Sequence, residues 1–295
     1  MYKKVLFPTD FSAHSEKITG CIAEIPGIQE VVLLHVAEAG SPSKTGTGPG
    51  SEIELAEPLL AEYNTIIGNL GLTVQANIEV LVHTAHKGTI GSMVLEKAEK
   101  ENVSLIVMGA RGKSLHDLLL GSVSTYVLYH ATIPLLLVKF PPADSMAGPA
   151  TVPVSPPVFS KILIPTDFSV PAGEILLFVK SLLGIDEIIL LHVIDAEKTD
   201  AKLPEYIRGG TTKLDRIRDE LAGAGFTVKD YVRVGYPPDE INLLAGQEQV
   251  TLIAMSPFGE GWRRGLKELV VGSTTYTVVR RADRPVLVVR PVQKD

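Results

Sequence analysis

Short apolar runs alternate with amphipathic stretches along the chain. In the first half, the apolar runs predict strands near 3–7, 31–36, 73–81, 104–108 and 134–138, and the amphipathic stretches predict helices near 13–24, 53–70, 90–101 and 122–131. Runs such as Val-Val-Leu-Leu are apolar on both faces, which is typical of strands inside a parallel sheet covered by helices. The strict alternation therefore predicts a doubly wound α/β fold with right-handed crossovers.

The second half of the chain repeats the first. The segment Lys4–Ser12 recurs as Lys161–Ser169, and Val31–Val36 recurs at the same offset as Ile188–Val193. Self-similarity at this length indicates one structural unit written twice. We therefore expect two tandem Rossmann-like domains, each a five-stranded parallel sheet with helices on both faces.

A proline-rich segment separates the two copies. Residues 141–158 contain six prolines and little apolar periodicity, which indicates a semi-extended linker. The sequence thus predicts a first domain over 1–140 and a second over 159–295.

Composition and charge narrow the class of protein. Hydrophobic residues make up 45% of the 295 residues and charged residues 21%, enough apolar surface for buried cores. The net charge of −6, without a dense run of Lys and Arg, argues against a nucleic-acid partner. Neither a signal peptide nor an apolar segment long enough for a bilayer is visible, so we expect a cytoplasmic protein without a membrane partner.

The cysteine and the histidines give no evidence of catalysis. Cys21 is the single cysteine, and its apolar helical surroundings favour a buried, inert thiol. His35 and His192 lie within strands without a triad partner at a recognisable spacing, so satisfied histidines beside the core are the favoured interpretation. His83 and His86 lack a third ligand nearby in the sequence, and we predict no resident metal site.

Two glycine turns mark a candidate anion site. Val107–Lys113 ends an apolar strand in a glycine turn, and Gly121–Ser124 forms a second turn that opens a helix. Glycine lets the backbone approach a ligand closely, and a helix that starts at Ser122 presents unpaired N–H groups and the positive end of its dipole. A plain turn followed by a helix cap explains the same residues, and the pattern alone does not separate the two interpretations.

Polar residues also stand where strands end. Pro8-Thr9-Asp10, Val36 and Met108-Gly109 all fall at predicted carboxyl ends, where open α/β sheets bind their ligands. Asp10 and its repeat Asp167 are ligand candidates by this argument. Both also qualify as caps of the following helix.

The combined motifs resemble the universal stress protein family in its tandem two-domain form. The resemblance rests on the opening Val-Leu-Phe-Pro-Thr-Asp-Phe-Ser, the Leu-Leu-His-Val strand, the Leu-Ile-Val-Met-Gly strand with its two glycine turns, and the closing Pro-Leu-Leu-Leu-Val-Lys. It implies the adenine nucleotide alpha hydrolase-like variant of the Rossmann-type fold. Members that keep the pattern Gly, two residues, Gly, nine residues, Gly, then Ser or Thr commonly bind ATP or AMP; members that lose it often do not. Mg²⁺ can accompany ATP.

Carried onto the first copy, the resemblance implies one nucleotide site. Its base, ribose and phosphate positions are Pro8, Thr9, Asp10, Val36, Met108, Gly109, Gly112, Lys113, Gly121, Ser122 and Val123. The family's nine-residue spacer is only eight residues long here, from Lys113 to Leu120.

The second copy implies a possible second site that departs further from the pattern. Its positions are Pro165, Thr166, Asp167, Val193, Met255, Ser256, Gly259, Gly272, Ser273 and Thr274. Ser256 replaces the first glycine, Pro257 removes an N–H group, and the second spacer is twelve residues long. Arg263 and Arg264 in that spacer bring phosphate-pairing capacity. The first copy is therefore the expected main site.

We predict a nucleotide-binding stress-response or regulatory module rather than an efficient enzyme. One alternative is a protein-interaction module in which neither site holds nucleotide. Another is a slow ATPase, but Gly112-Lys113-Ser114 lacks the glycine of a Walker motif five residues earlier. The long apolar last strands predict that the two domains pair as an intramolecular pseudo-dimer, with a homodimer as a further possibility.

Overall fold

A computed structural model of the chain describes residues 2–39, 50–82, 89–110, 120–139, 157–196, 202–259 and 271–290. The chain divides into two compact units, Met1–Val138 and Lys139–Asp295.

The described part of the first unit contains one parallel sheet with the strand order β3-β2-β1-β4-β5. In chain order its elements are β1 (Lys4–Pro8), α1 (Ala13–Ala23), β2 (Glu30–Ala39), α2 (Gly50–Gly68), β3 (Thr73–Val82), α3 (Ile90–Lys100), β4 (Leu105–Gly109), α4 (Ser122–His130) and β5 (Leu135–Val138).

The described part of the second unit repeats this order with the equivalent strands, β8-β7-β6-β9-β10, and its sheet is again parallel. Its elements are β6 (Lys161–Pro165), α5 (Val170–Lys180), β7 (Glu187–Asp195), α6 (Leu203–Gly223), β8 (Val228–Gly235), α7 (Pro237–Gln247), β9 (Leu252–Met255), α8 (Ser273–Arg281) and β10 (Val286–Val288). The predicted fold class, two tandem Rossmann-like domains, is confirmed.

The central strands form the core of each unit. Val5, Leu6 and Phe7 of β1 have no exposed surface, and the same holds for Ile162, Leu163 and Ile164 of β6 in the second unit. Burial on both faces requires a helical layer on each side of the sheet, which explains why these runs contain no polar residue.

Side-chain caps fix where the helices after the first strands begin. Ser12 caps α1 by accepting from the N–H of Ser15, and Ser169 caps α5 by accepting from the N–H of Ala172. Each cap satisfies one of the orphan amide donors at a helix start. The loop between the first strand and the first helix of each unit is therefore anchored at its helix end.

In the part of the chain that the structure describes, no helix has both the length and the apolar character that crossing a bilayer requires.

Candidate functional site

The sheet order creates a crevice in each unit. From β1 the chain crosses to β2 on one side, and it later returns to β4 on the other side of β1. The register pairs Pro8 with Leu34 and Leu6 with Ile106, so Pro8 and Met108 both lie two residues beyond the Leu6–Ile106 pair. The carboxyl ends of these strands thus meet where the winding reverses, which is where open α/β sheets bind ligands.

The loop after β1 is held by hydrogen bonds from its own side chains. The Thr9 hydroxyl accepts from the N–H of Phe11 at 3.1 Å, and Asp10 Oδ1 accepts from the N–H of Ser12 at 3.0 Å and from the Ser15 hydroxyl at 2.7 Å. Asp10 therefore organises the start of α1, which is the structural role that the sequence left open beside the ligand role.

Backbone strain accompanies this loop in both units. Phe11 has φ of 56° and its repeat Phe168 has φ of 63°, values that a bulky residue adopts only when its surroundings enforce them. Strain of this kind concentrates at binding and active sites. The same strained residue occurs at the equivalent position of both units, which indicates that the conformation of this loop is a specific part of the fold.

The histidines of the second strands support the same loops. His35 is buried, and its Nδ1–H donates to the Thr9 carbonyl at 2.9 Å while its ring packs 4.5 Å from Phe11. His192 donates to the Thr166 carbonyl at the same distance and packs 4.4 Å from Phe168. The interpretation of both as satisfied histidines is confirmed.

Helix α4 begins without a side-chain cap. Its N-cap residue, Gly121, has extended backbone angles, and its N–H donates to the carbonyl of Ala110 at 2.9 Å. The Ser124 hydroxyl donates to the Gly109 carbonyl at 2.8 Å, which fastens the helix to the end of β4. The amides of Ser122 and Val123 therefore lie at an uncapped helix start beside Gly109.

Nine of the eleven residues predicted for the first site are described, and they lie at this edge of the sheet or at the start of α4. They are Pro8, Thr9, Asp10, Val36, Met108, Gly109, Gly121, Ser122 and Val123. Gly112 and Lys113 lie outside the described residues, as do His83 and His86.

The second unit contains a cavity of about 720 Å³ at the corresponding place. All ten residues predicted for the second site line it: Pro165, Thr166, Asp167, Val193, Met255, Ser256, Gly259, Gly272, Ser273 and Thr274. The structure thus brings together residues from β6, β7, β9 and the start of α8.

The loop after β9 is shaped by the residues that depart from the glycine pattern. Ser256 is buried, and its hydroxyl accepts from the N–H of Phe258 at 3.4 Å. Gly259 has the Asp167 carboxylate against it, because a methyl group built there would lie 2.2 Å from Asp167 Oδ2. A side chain at this position would therefore make the Asp167 carboxylate shift, whether or not a ligand is present.

The sequence arguments missed several residues at these sites, including two hydroxyls and two tyrosines. Ser124 and Thr275 fasten the last helix of each unit to a strand end, Thr275 by donating to the Ser256 carbonyl at 2.8 Å. The hydroxyl at the same place in both copies is a signal that could have identified them. Tyr206 and Tyr236 line the second cavity, and no repeat signal marks them, because they come from elements whose sequences differ between the copies.

Among the described residues near the sites, the titratable groups with shifted pKa values do not form an acid–base pair. Burial lowers the pKa of His192, so its ring is neutral at pH 7. Burial raises the pKa of the Cys21 thiol to about 12, which favours an unreactive thiol, although the residue is half-buried rather than buried as predicted. Among the described residues, no group of three or more His, Cys, Asp or Glu side chains could hold a metal ion.

Comparison with known proteins decides the family. The model of the universal stress protein family matches the chain twice, over residues 1–139 and 159–290. The chain belongs to the universal stress protein family.

Individual relatives match one copy of the chain or span both copies. The universal stress protein MJ0577 of Methanocaldococcus jannaschii is 35% identical over 158 residues, which is 45% of this chain and 96% of that protein. A universal stress protein of Mycolicibacterium smegmatis is 29% identical over 230 residues, covering 75% of this chain and 70% of the relative. The crystal structure of a universal stress protein from Archaeoglobus fulgidus superposes with a TM-score of 0.72 at 24% identity, over 99% of this chain and 97% of that one, which supports the fold.

Proposed function

We propose that this universal stress protein binds adenine nucleotide, ATP or AMP, chiefly in its first domain, and acts as a nucleotide-dependent stress-response or regulatory module in the cytoplasm. The observation that carries the proposal is the uncapped start of α4, fastened by Ser124 beside Gly109 at the crevice of the sheet.

The phosphate end of this site is supported by backbone donors. The first N–H groups of a helix have no partner within the helix, and the helix dipole favours an anion there. The N–H of Gly121 already donates to the Ala110 carbonyl. The donors that remain for phosphate oxygens are therefore the N–H groups of Ser122 and Val123. The Ser122 side chain is exposed and adds a hydroxyl.

The base and ribose end is supported by the neighbouring strand ends. Thr9, Val36 and Met108 are nearly buried and form a firm edge, while Asp10 is half-buried at the same edge. A ribose presents hydroxyl donors, and a carboxylate accepts them. Because Asp10 Oδ1 already holds Ser12 and Ser15, the carboxylate is fixed in direction before a ligand arrives.

The same contacts argue against efficient catalysis. Asp10, the carboxylate of this edge, is engaged in the start of α1, and His35 gives its Nδ1 proton to a backbone carbonyl. Mg²⁺ bound with ATP would be held mainly by phosphate oxygens and water, with Asp10 as the protein carboxylate within the site. Phosphate transfer without a positioned base is slow.

Two further expectations accompany the proposal. Adenine nucleotide is the ligand and no nucleic acid or membrane is involved. The two domains are expected to pair through their last strands as an intramolecular pseudo-dimer, and a homodimer of the whole chain is compatible with this.

Calorimetric titration of the full chain with ATP and AMP tests the proposal, beside Gly121→Val and Gly272→Val. The two variants place the same side chain at repeat-equivalent helix starts, so each is a control for the other. We expect one nucleotide to bind per chain. Gly121→Val should abolish this binding, and Gly272→Val should preserve it. At a ligand concentration of about 100 times Kd, bound nucleotide also stabilises the folded first domain by about 2.7 kcal/mol.

Other outcomes would reassign the protein. No heat with either nucleotide would leave the interaction module as the better interpretation. Multiple-turnover phosphate release that is lost in Asp10→Asn would instead indicate an ATPase. Loss of binding in Gly272→Val alone would move the main site to the second domain.

A further inference from the structure

A tyrosine of α2 packs against the strained loop of the first domain. Tyr63 is buried, with 5% of its surface exposed, and its ring meets the Phe11 ring edge to face with the centroids 5.7 Å apart. The same ring lies 6.2 Å from that of Phe7, which belongs to β1 and has no exposed surface. Edge-to-face aromatic pairs stabilise by more than the area that they bury. Tyr63 therefore connects Phe11 to the core of the domain.

The hydroxyl of Tyr63 contacts a second residue of the same loop. It shares a hydrogen bond with the Thr9 side chain, and because burial raises the pKa of Tyr63 to about 12, the hydroxyl keeps its proton at pH 7. The Thr9 hydroxyl also accepts from the N–H of Phe11 at 3.1 Å. One side chain of α2 thus contacts both residues that shape the turn, the threonine through its hydroxyl and the phenylalanine through its ring.

These contacts support a conformation that does not maintain itself. Phe11 has φ of 56°, and a bulky residue remains in that region only while its surroundings hold it there. The hydrogen bonds within the loop each join residues that are two apart, so they do not fasten the loop to the rest of the domain. Tyr63 and His35 do so, because they belong to α2 and β2.

The second domain supports the equivalent loop with a different side chain. The buried positions of the two long helices match at one offset, Ala56, Leu60 and Ile67 of α2 against Gly210, Leu214 and Leu221 of α6. At that offset Ile217 stands in the place of Tyr63. Phe168 keeps its histidine contact, and the Nζ of Lys213, an exposed residue, lies 4.9 Å from its ring centroid. A hydrated ammonium on a flexible stem restrains a ring less firmly than a buried aromatic ring does.

We propose that Tyr63 is a positioning residue that holds the loop from Thr9 to Ser12 closed, in its binding conformation, before a ligand arrives. The equivalent loop of the second domain, with Ile217 behind it, opens more often. The inference rests on the proposed function for the identity of the ligand, whereas the holding of the loop is a property of the free protein. Because the ligand binds the closed loop, its apparent Kd is the intrinsic Kd divided by the closed fraction.

Amide hydrogen exchange of the ligand-free full chain, read residue by residue by NMR, tests the holding of the loop. The amides of Phe11 and Ser12 and those of Phe168 and Ser169 are matched reporters, with hydrogen bonds of 3.0 to 3.1 Å in both loops. The sequence Thr-Asp-Phe-Ser is the same in both loops, so the intrinsic exchange rates are equal. We expect the first pair to exchange about fivefold more slowly, the effect of one net hydrogen bond. Equal rates would overturn the inference.

Substitutions of Tyr63 test the cause. Tyr63→Phe removes the hydroxyl and keeps the ring, and it should speed the exchange of the Phe11 amide about fivefold. Tyr63→Ile, which copies the second domain, should raise that exchange to the rate of the Phe168 amide. Tyr2→Phe is the matched control, because it removes a buried hydroxyl beyond the opposite end of β1 and leaves the Phe11 amide unchanged. A residue that only filled the core would change global stability, and with it the exchange of core amides such as that of Leu6. If the Phe11 amide did not respond to either Tyr63 variant, the inference would be wrong.

Calorimetry with AMP and ATP links the loop to ligand binding. In Tyr63→Ile the Kd of both nucleotides should rise by the factor by which the closed fraction falls, about twofold to fivefold, and Tyr2→Phe should leave it unchanged. An unchanged Kd in a variant whose loop is mostly open would overturn the positioning role and leave the proposed function intact. If the unmodified chain binds neither nucleotide, the proposed function is refuted, and the exchange rates by themselves decide whether Tyr63 holds the loop.

Discussion

Two adjacent glycines in α6 allow the packing around the second site to be tested by a single methyl group. A Cβ at Gly209 meets nothing within 4 Å, whereas a Cβ at Gly210 lies 2.8 Å from Cδ2 of His192. The His192 ring cannot move away freely, because its Nδ1–H holds the Thr166 carbonyl at 2.9 Å and its face packs 4.4 Å from Phe168.

The two substitutions are expected to change the stability by different amounts. Replacing glycine by alanine inside a helix stabilises by about 1 kcal/mol, and Gly209→Ala should gain that amount in the free energy of unfolding. Gly210→Ala gains the same helix propensity but overfills a packed contact, which costs about 1–3 kcal/mol. The variants should therefore differ by about 1–3 kcal/mol although their chemistry and helix are the same.

Urea denaturation followed by tryptophan fluorescence measures this difference in the second domain. The chain has one tryptophan, Trp262, and it belongs to the second copy, so its signal separates that domain's transition from the first. A thermal scan should show a separation of about 2–4 °C per kcal/mol. If Gly210→Ala stabilised as much as Gly209→Ala, the contact between α6 and His192 would be refuted.

Three further predictions concern groups outside the sites. Lys97→Ala should lower the free energy of unfolding by about 3 kcal/mol, because it removes a buried ammonium whose Nζ lies 3.2 Å from Glu101 Oε1 and 3.4 Å from Glu79 Oε1. Lys100 is exposed, so Lys100→Ala should be near neutral. Urea unfolding that gave the two variants equal stability would contradict this. The Tyr231 hydroxyl and neighbouring lysines lower the pKa of Glu248 from 4.5 to about 2. A lowered folded-state pKa gives stability that is present above the unfolded pKa and lost as pH falls from about 4.5 to 2, so acid titrations of unfolding should show a shallower loss in Glu248→Gln. Cys21, with its pKa raised to about 12, should resist a thiol reagent at pH 8 in the native protein and react once per chain after unfolding; rapid native reaction would show that the thiol is accessible.

Periodicity predicted the strands well because most are buried on both faces. The elements of the first half all occur, and their ends differ from the predicted ones by at most three residues. The largest difference among the strands is β2, predicted to end at Val36 but extending to Ala39 because its pairing with β3 continues to Val82. The added residues include a polar one, Glu38, which ended the apolar run in the sequence.

The sequence predicted the strand ends and glycine turns that form the candidate sites. It did not predict the hydrogen bonds that support them. Asp10 was weighed as ligand or cap, and only the structure shows Oδ1 held by Ser12 and Ser15. The positive φ of Phe11 has no signal in the sequence, because phenylalanine is a poor residue for that conformation. Such contacts depend on distances between side chains and backbone that composition and spacing do not encode.

The repeat also explains how the loop between the glycine turns can change length without disturbing the site. The hydroxyl that fastens the last helix to a strand end lies at 2.8 Å in both units, from Ser124 to Gly109 and from Thr275 to Ser256, although the spacers are eight and twelve residues long. The N–H of each helix's N-cap glycine also bonds the carbonyl just after the strand, at 2.9 and 2.7 Å. Because equivalent bonds fix both ends of the loop in the two units, Gly109 and the start of α4 keep the contacts of their repeats although the spacer is shorter. The shortened spacer by itself therefore does not argue against the phosphate site proposed at the start of α4.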